Sequence, residues 1–166
     1  ARTATRPPAQ SAPRLILQLV TAPPNVHGPA ETDRPMRRVL LGPLFETPPA
    51  RVAELERDRA DRNVSWAELV RSGISNGRAL AALLGAPEWA SEDPASHGLW
   101  EIWSTLPQIT DLATNEKYEQ DRAAWSSFAQ VLERWNERAP GGTLLDYRTY
   151  SMTEDFEASP LLSYQA

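Results

Sequence analysis

Apolar residues in this chain recur mostly three and four positions apart, the spacing of helices packed on one face. Arg14 to Val20 (RLILQLV) predicts a short apolar helix closed by Pro23 and Pro24, and Asn25 to Thr32 reads as loop. In RPMRRVLL, Met36, Val39 and Leu40 share a face behind Asp33 as N-cap, and Gly42 with Pro43 ends the helix. Thr47 caps the next helix, with Pro48 and Pro49 in a first turn where missing N–H groups cost little. Within PPARVAELERDRADR only Val52 and Leu55 point inward, so that helix has a solvated outer face. Ser65 to Glu68 spells an S-x-x-E capping box before WAELVRSG. Ser75 and Asn76 open GRALAALLG, and Gly73 and Gly85 stand where C′ residues belong.

A longer stretch begins at Pro94, and its Leu99, Trp100, Ile102, Trp103, Leu106 and Ile109 form a broad apolar face that Pro107 should kink or split. From about Glu116 to Arg138 runs the clearest helix: Tyr118, Trp125, Phe128, Leu132 and Trp135 make a heptad-like stripe. Pro140, Gly141 and Gly142 stop it, and Thr143 with Asp146 restarts a helix to roughly Phe156. Nothing alternates at period two before Pro160 to Tyr164. The expected fold is all-α. Residues 1–13, with Pro7, Pro8 and Pro13 among Ala, Thr and Arg, read as linker or ragged end; 14–159 as the helical unit; 160–166 as the start of a further element.

Length and composition change this picture little: 166 residues suit one domain, and 41% hydrophobic with 23% charged is the make-up of a globular chain. No apolar run approaches the length of a membrane span, so no membrane partner is expected. The chain opens on ARTATRPPAQ, without an initiating Met or signal-like apolar stretch, which reads as a segment of a longer protein. Charge is more informative when divided. Residues 1–83 hold twelve basic and eight acidic side chains, a balance of +4; residues 84–166 hold five and fourteen, a balance of -9. One half can face a polyanion while the other faces water or a basic partner.

Catalytic signals are few. The chain has no cysteine, and its two histidines, His27 and His97, stand too far apart in sequence for a local metal motif; they read as surface or cap residues. It also lacks the G-x-x-x-x-G-K-[ST] phosphate loop, G-x-G-x-x-G, G-x-S-x-G and H-E-x-x-H. The pairs Glu92/Asp93 and Glu154/Asp155 are adjacent in sequence, and neighbours on a helix diverge by about 100°. They read as solvated charge. The six tryptophans invite a base-stacking reading. Yet Trp125 and Trp135, like Trp100 and Trp103, sit on apolar stripes and are expected in the core, with Trp66 and Trp89 less determined. What remains is arginine. Arg34, Arg37 and Arg38 fall at i, i+3, i+4 beside the Gly42 to Pro49 turn, where side-chain forks and backbone N–H groups can meet phosphate. Arg51, Arg57, Arg59 and Arg62 add to that charge, and Asp33, Glu54, Glu56, Asp58 and Asp61 neutralise much of it.

Taken together, RRVLLGPLFETPPARVAELER (37–57) and WNERAPGGTLLDYRTYSMTEDFEASPLLSYQA (135–166) resemble parts of the superfamily-one DNA helicases of the UvrD, Rep and PcrA type. The likeness is to their helical subdomain 2B and spreads over about residues 14–166. That resemblance implies a non-catalytic, regulatory unit of a 3′-to-5′ DNA helicase of repair or recombination. ATP and Mg²⁺ are then handled by other subdomains of the parent chain, which are also partners of this one. It implies contact with duplex or forked DNA, for which Arg37, Arg38 and Arg51 around the turn are the candidate residues. The family's contacting turn commonly reads G-I-G, whereas Glu46, Thr47 and Pro48 stand here, and GPLF (42–45) looks closer to recombination-type relatives such as AddA and RecB. The competing expectation is a helical protein-interaction module whose acidic half docks a basic partner.

Overall fold

The computed structural model describes residues 11–22, 32–85, 88–114 and 116–153. Among these the fold is all-α, with no strand and one isolated bridge between Pro94 and Thr143. In chain order the helices are α1 (Ala12–Thr21), α2 (Arg34–Leu41), α3 (Pro49–Arg62), α4 (Trp66–Gly73), α5 (Gly77–Gly85), α6 (Trp89–Glu92), α7 (Ala95–Thr105) and α8 (Pro107–Thr114). A 3₁₀ turn (Glu116–Tyr118), α9 (Glu119–Arg138) and α10 (144–153) follow. The readings of residues 1–10, of most of the 25–32 loop, and of 154–166, including Glu154/Asp155 and the period-two segment, lie outside the described residues, as does His27.

The apolar RLILQLV segment becomes the centre of the molecule. Helix α1 begins at Ala12, with Pro13 in its first turn, so the linker reading ends two residues too late. Leu15, Ile16, Leu17, Leu19 and Val20 are all buried, which requires neighbours on several sides; α2, α5, α6 and α9 supply them. A second layer of core is aromatic. Trp103 meets Trp125 edge-on with centroids 5.8 Å apart, Trp125 meets Phe128 at 6.2 Å, Phe128 meets Tyr147 at 6.3 Å and Tyr147 meets Trp135 at 5.5 Å. Each edge-to-face pair adds about 0.5–1.5 kcal/mol beyond the area it buries, so this run fastens α7, α9 and α10 together.

Local chemistry ends the helices largely where the sequence asks. Ser65 Oγ accepts from the Glu68 N–H at 3.2 Å, opening α4. Thr143 and Asp146 bond reciprocally, each backbone N–H reaching the other's side chain at 3.1 Å, and open α10. Pro107 splits α7 from α8, as expected. Asn136 ties the α9–α10 turn to α7: its Nδ2 donates to the carbonyls of Ala139 and Gly142, and its Oδ1 accepts from the Ser96 N–H at 2.8 Å.

Four expectations are revised. Asp33 does precede α2, but its side chain makes no cap bond. Pro48, not Thr47, is the N-cap of α3; the Thr47 N–H instead donates to the Leu40 carbonyl at 2.8 Å, which folds the turn back on α2. Gly73 is the last residue of α4 rather than a left-handed C′ residue, and its lack of a side chain admits Leu55, whose Cδ2 would lie 2.9 Å from a Cβ there. Trp100 is 61% exposed. Helix α7 buries Ala95, Gly98 and Ile102, with Gly98 pressed on Leu144, and Trp100 points roughly opposite that face.

A candidate nucleic-acid interface

Helix α2 carries three arginines and no acid within its bounds. Met36, Val39 and Leu40 are buried against the core, which turns Arg34, Arg37 and Arg38 outward together. The nearest acid in sequence, Asp33, is withdrawn from that surface. Its Oδ1 accepts from Arg59 Nε and from Trp66 Nε1, both at 2.7 Å. Arg59 also donates to the Val64 carbonyl at 2.9 Å and lies over the Trp66 ring, 5.6 Å from its centroid. The knot joins α3, α4 and the start of α2, and it takes a negative charge away from the arginine ridge.

Two of the three arginines named with the turn stand on that ridge. Arg37 faces Glu56 across 3.7 Å, with side chains 60% and 31% exposed, and an open, long pair of this kind contributes little. Arg38 is exposed in the last turn of α2. Arg51 is placed differently: its Nε donates to the Gly73 carbonyl at 2.9 Å and its Nη1 to Glu54 at 2.7 Å. It closes the C-terminus of α4, and so belongs to the scaffold under the ridge. Arg34, on the same face as Arg37 and Arg38, takes its place on the exposed ridge.

The turn between α2 and α3 offers less backbone than its sequence suggests. The N–H groups of Gly42, Glu46 and Thr47 all bond within the turn or to the end of α2. Leu44 and Phe45 are buried, and Glu46 adopts a left-handed φ of 48°. Glu46 then reaches across the molecule to accept from the Tyr118 hydroxyl. That contact, together with burial, raises the Tyr118 pKa above its ordinary value, the hydrogen bond being the larger cause. A carboxylate thus stands where the resemblance implied a glycine approach to phosphate, and the exposed positive charge lies on the arginine ridge rather than in the turn.

On the acidic side, His97 lies between Asp93 at 3.4 Å and Glu101 at 3.3 Å and stacks on the exposed Trp100, centroids 5.7 Å apart. This agrees with a surface reading of His97 and gives Asp93 a local partner. No group of three or more His, Cys, Asp or Glu among the described residues is arranged to hold a metal ion. Nor is any described helix long and apolar enough to cross a membrane.

Fold and surface define a helical module with an arginine ridge on one helix and an acidic, tryptophan-bearing face elsewhere. Comparison with family models, with curated proteins and with solved structures gave no match.

Proposed function

We propose that this chain is a non-catalytic, DNA-contacting unit of the 2B kind within an ATP-driven 3′-to-5′ DNA helicase of repair or recombination. The α2 arginines bear on duplex phosphates, and other subdomains of the parent carry ATP and Mg²⁺. The observation that carries the reading is the ridge: Arg34, Arg37 and Arg38 share one exposed face, while Asp33 is turned inward to Arg59 and Trp66. Arg51 acts by holding α3 against α4 beneath it. Fluorescence anisotropy with duplex and forked DNA at low salt tests the proposal. Reversing Arg34, Arg37 and Arg38 to Glu should abolish measurable binding, and unchanged binding would overturn it.

A second reading has its own observation. Trp100, exposed and stacked on His97 beside Asp93 and Glu101, suits a protein-interaction module that docks a basic segment through cation–π contact. An arginine-rich peptide that changes tryptophan emission in the wild type but not in Trp100→Ala, combined with no DNA binding, would favour it over the helicase reading.

A further inference from the structure

The α2–α3 turn, the start of α8 and Tyr118 border an open cleft of about 270 Å³. Its wall includes Gln108, whose side chain is unusual in this core: the residue is 8% exposed, and neither Oε1 nor Nε2 has a hydrogen-bond partner. Buried polar groups in native proteins are nearly always paired, and an unpaired carboxamide is costly relative to an apolar side chain of the same shape. A leucine or methionine would serve packing better at this position. The carboxamide is therefore the feature that asks for a partner, and the cleft is the space beside it.

The surrounding groups restrict what that partner is. The charged residues of the lining are Glu46 and Asp111, and Lys117 Nζ stands 5.3 Å from the centroid of the Tyr118 ring, so the lining itself favours N–H donors over an anion. The Phe45 and Tyr118 rings border the cleft, whose accessible lining is more polar than apolar. A carboxamide presents an acceptor beside a donor, and its complement is an edge with a donor beside an acceptor, as on the amino edge of adenine. The volume lies just under the roughly 300 Å³ where drug-sized pockets begin, which suits a single base.

We propose that this cleft binds an amino-substituted heterocyclic base of the adenine kind. Gln108 turns from its buried position to pair bidentately with the base, and Glu46 or Asp111 accepts the remaining amino hydrogen. The base is either that of a free nucleoside or an unpaired one in a strand. The proposal does not depend on the arginine ridge.

The test is a titration of the ¹⁵N-labelled full chain with adenosine, following the Gln108 side-chain NH₂ signals, identified by their absence in Gln108→Met. These signals should move saturably with adenosine and much less with purine riboside, which lacks the amino group. Gln108→Met should weaken adenosine binding on the order of tenfold or more, as loss of a bidentate base contact does. Once adenosine binding is seen, an oligo-dA strand that moves the same signals marks a strand-borne base, and one that leaves them still marks a free nucleoside. Signals that stay in place through millimolar adenosine would overturn the proposal and leave an ordered water as the partner. Equal response to purine riboside would overturn it as well.

Discussion

Replacing Asp33 with alanine examines the knot that shapes the arginine ridge. The change removes one charge-assisted bond, from Arg59 Nε at 2.7 Å, and one bond from Trp66 Nε1, also at 2.7 Å. Arg59 is left with a side chain only 10% exposed, though it retains the Val64 carbonyl, and Trp66 is left buried without its acceptor. Loss of a hydrogen bond to a charged group costs about 1.5–3 kcal/mol, and an unpaired buried donor adds about 1 kcal/mol or more. Asp33 is itself 26% exposed, so water enters and recovers part of this. The expected loss is about 2–3 kcal/mol, read as a urea midpoint lowered by about 1–2 M at unchanged slope. Asp33→Asn keeps an acceptor but not the charge and should lose about 1 kcal/mol. In a double-mutant cycle with Arg59→Met, the pair should show a coupling of about 1 kcal/mol or more. A loss below about 0.5 kcal/mol, or additive single losses, would refute the reasoning and reduce the knot to an ordinary surface pair.

Other expectations follow from single sites. Gly77→Ala would place a Cβ 1.7 Å from the Val70 carbonyl oxygen; α4 and α5 must then separate, and a loss of about 3 kcal/mol or outright failure to fold is expected in a thermal melt. Ser65→Ala should cost about 1 kcal/mol by removing the α4 cap, and Ser65→Asp should restore most of it. Burial raises the Asp121 carboxyl above its ordinary 3.8, against a smaller opposing backbone bond. The protonated form therefore favours the fold, and that contribution is lost as pH rises through the folded value. Asp121→Asn should be more stable than the wild type at neutral pH, with the advantage closing as pH falls below 3.8; a pH-independent difference would contradict this.

Much of the architecture was legible in the sequence because it is set by local rules. The Ser65 box, the Thr143–Asp146 pair, the break at Pro107 and the Trp125–Phe128–Leu132–Trp135 stripe each depend on residues within a few turns of one another. Partners distant in sequence were not legible. Asp33 has the right type and position for a cap, but Arg59 and Trp66, brought near by folding, bind its carboxylate more strongly than a lone backbone N–H would. Arg51 looks like a phosphate ligand until the end of α4 arrives beside it. The apolar stripe it shares with Leu99, Ile102 and Trp103 points Trp100 to the core, whereas Gly98 fixes which face of α7 makes the close approach and leaves Trp100 outside. Gln108 sits in the first turn of a helix after a proline and gives no sign in sequence that its carboxamide is buried unpaired.

The salt dependence of duplex binding tests the central claim most directly. Three arginines within about one turn of α2 can neutralise about two to three phosphates, so log K should fall against log salt with a slope of about -1.8 to -2.7, roughly a 10- to 40-fold loss between about 50 and 200 mM. Reversing Arg34, Arg37 and Arg38 should leave no measurable binding at any salt concentration, while Arg51→Ala lowers stability and leaves the slope in place. A slope near zero in the wild type, or one that survives the triple reversal, would contradict the assignment of this ridge to DNA.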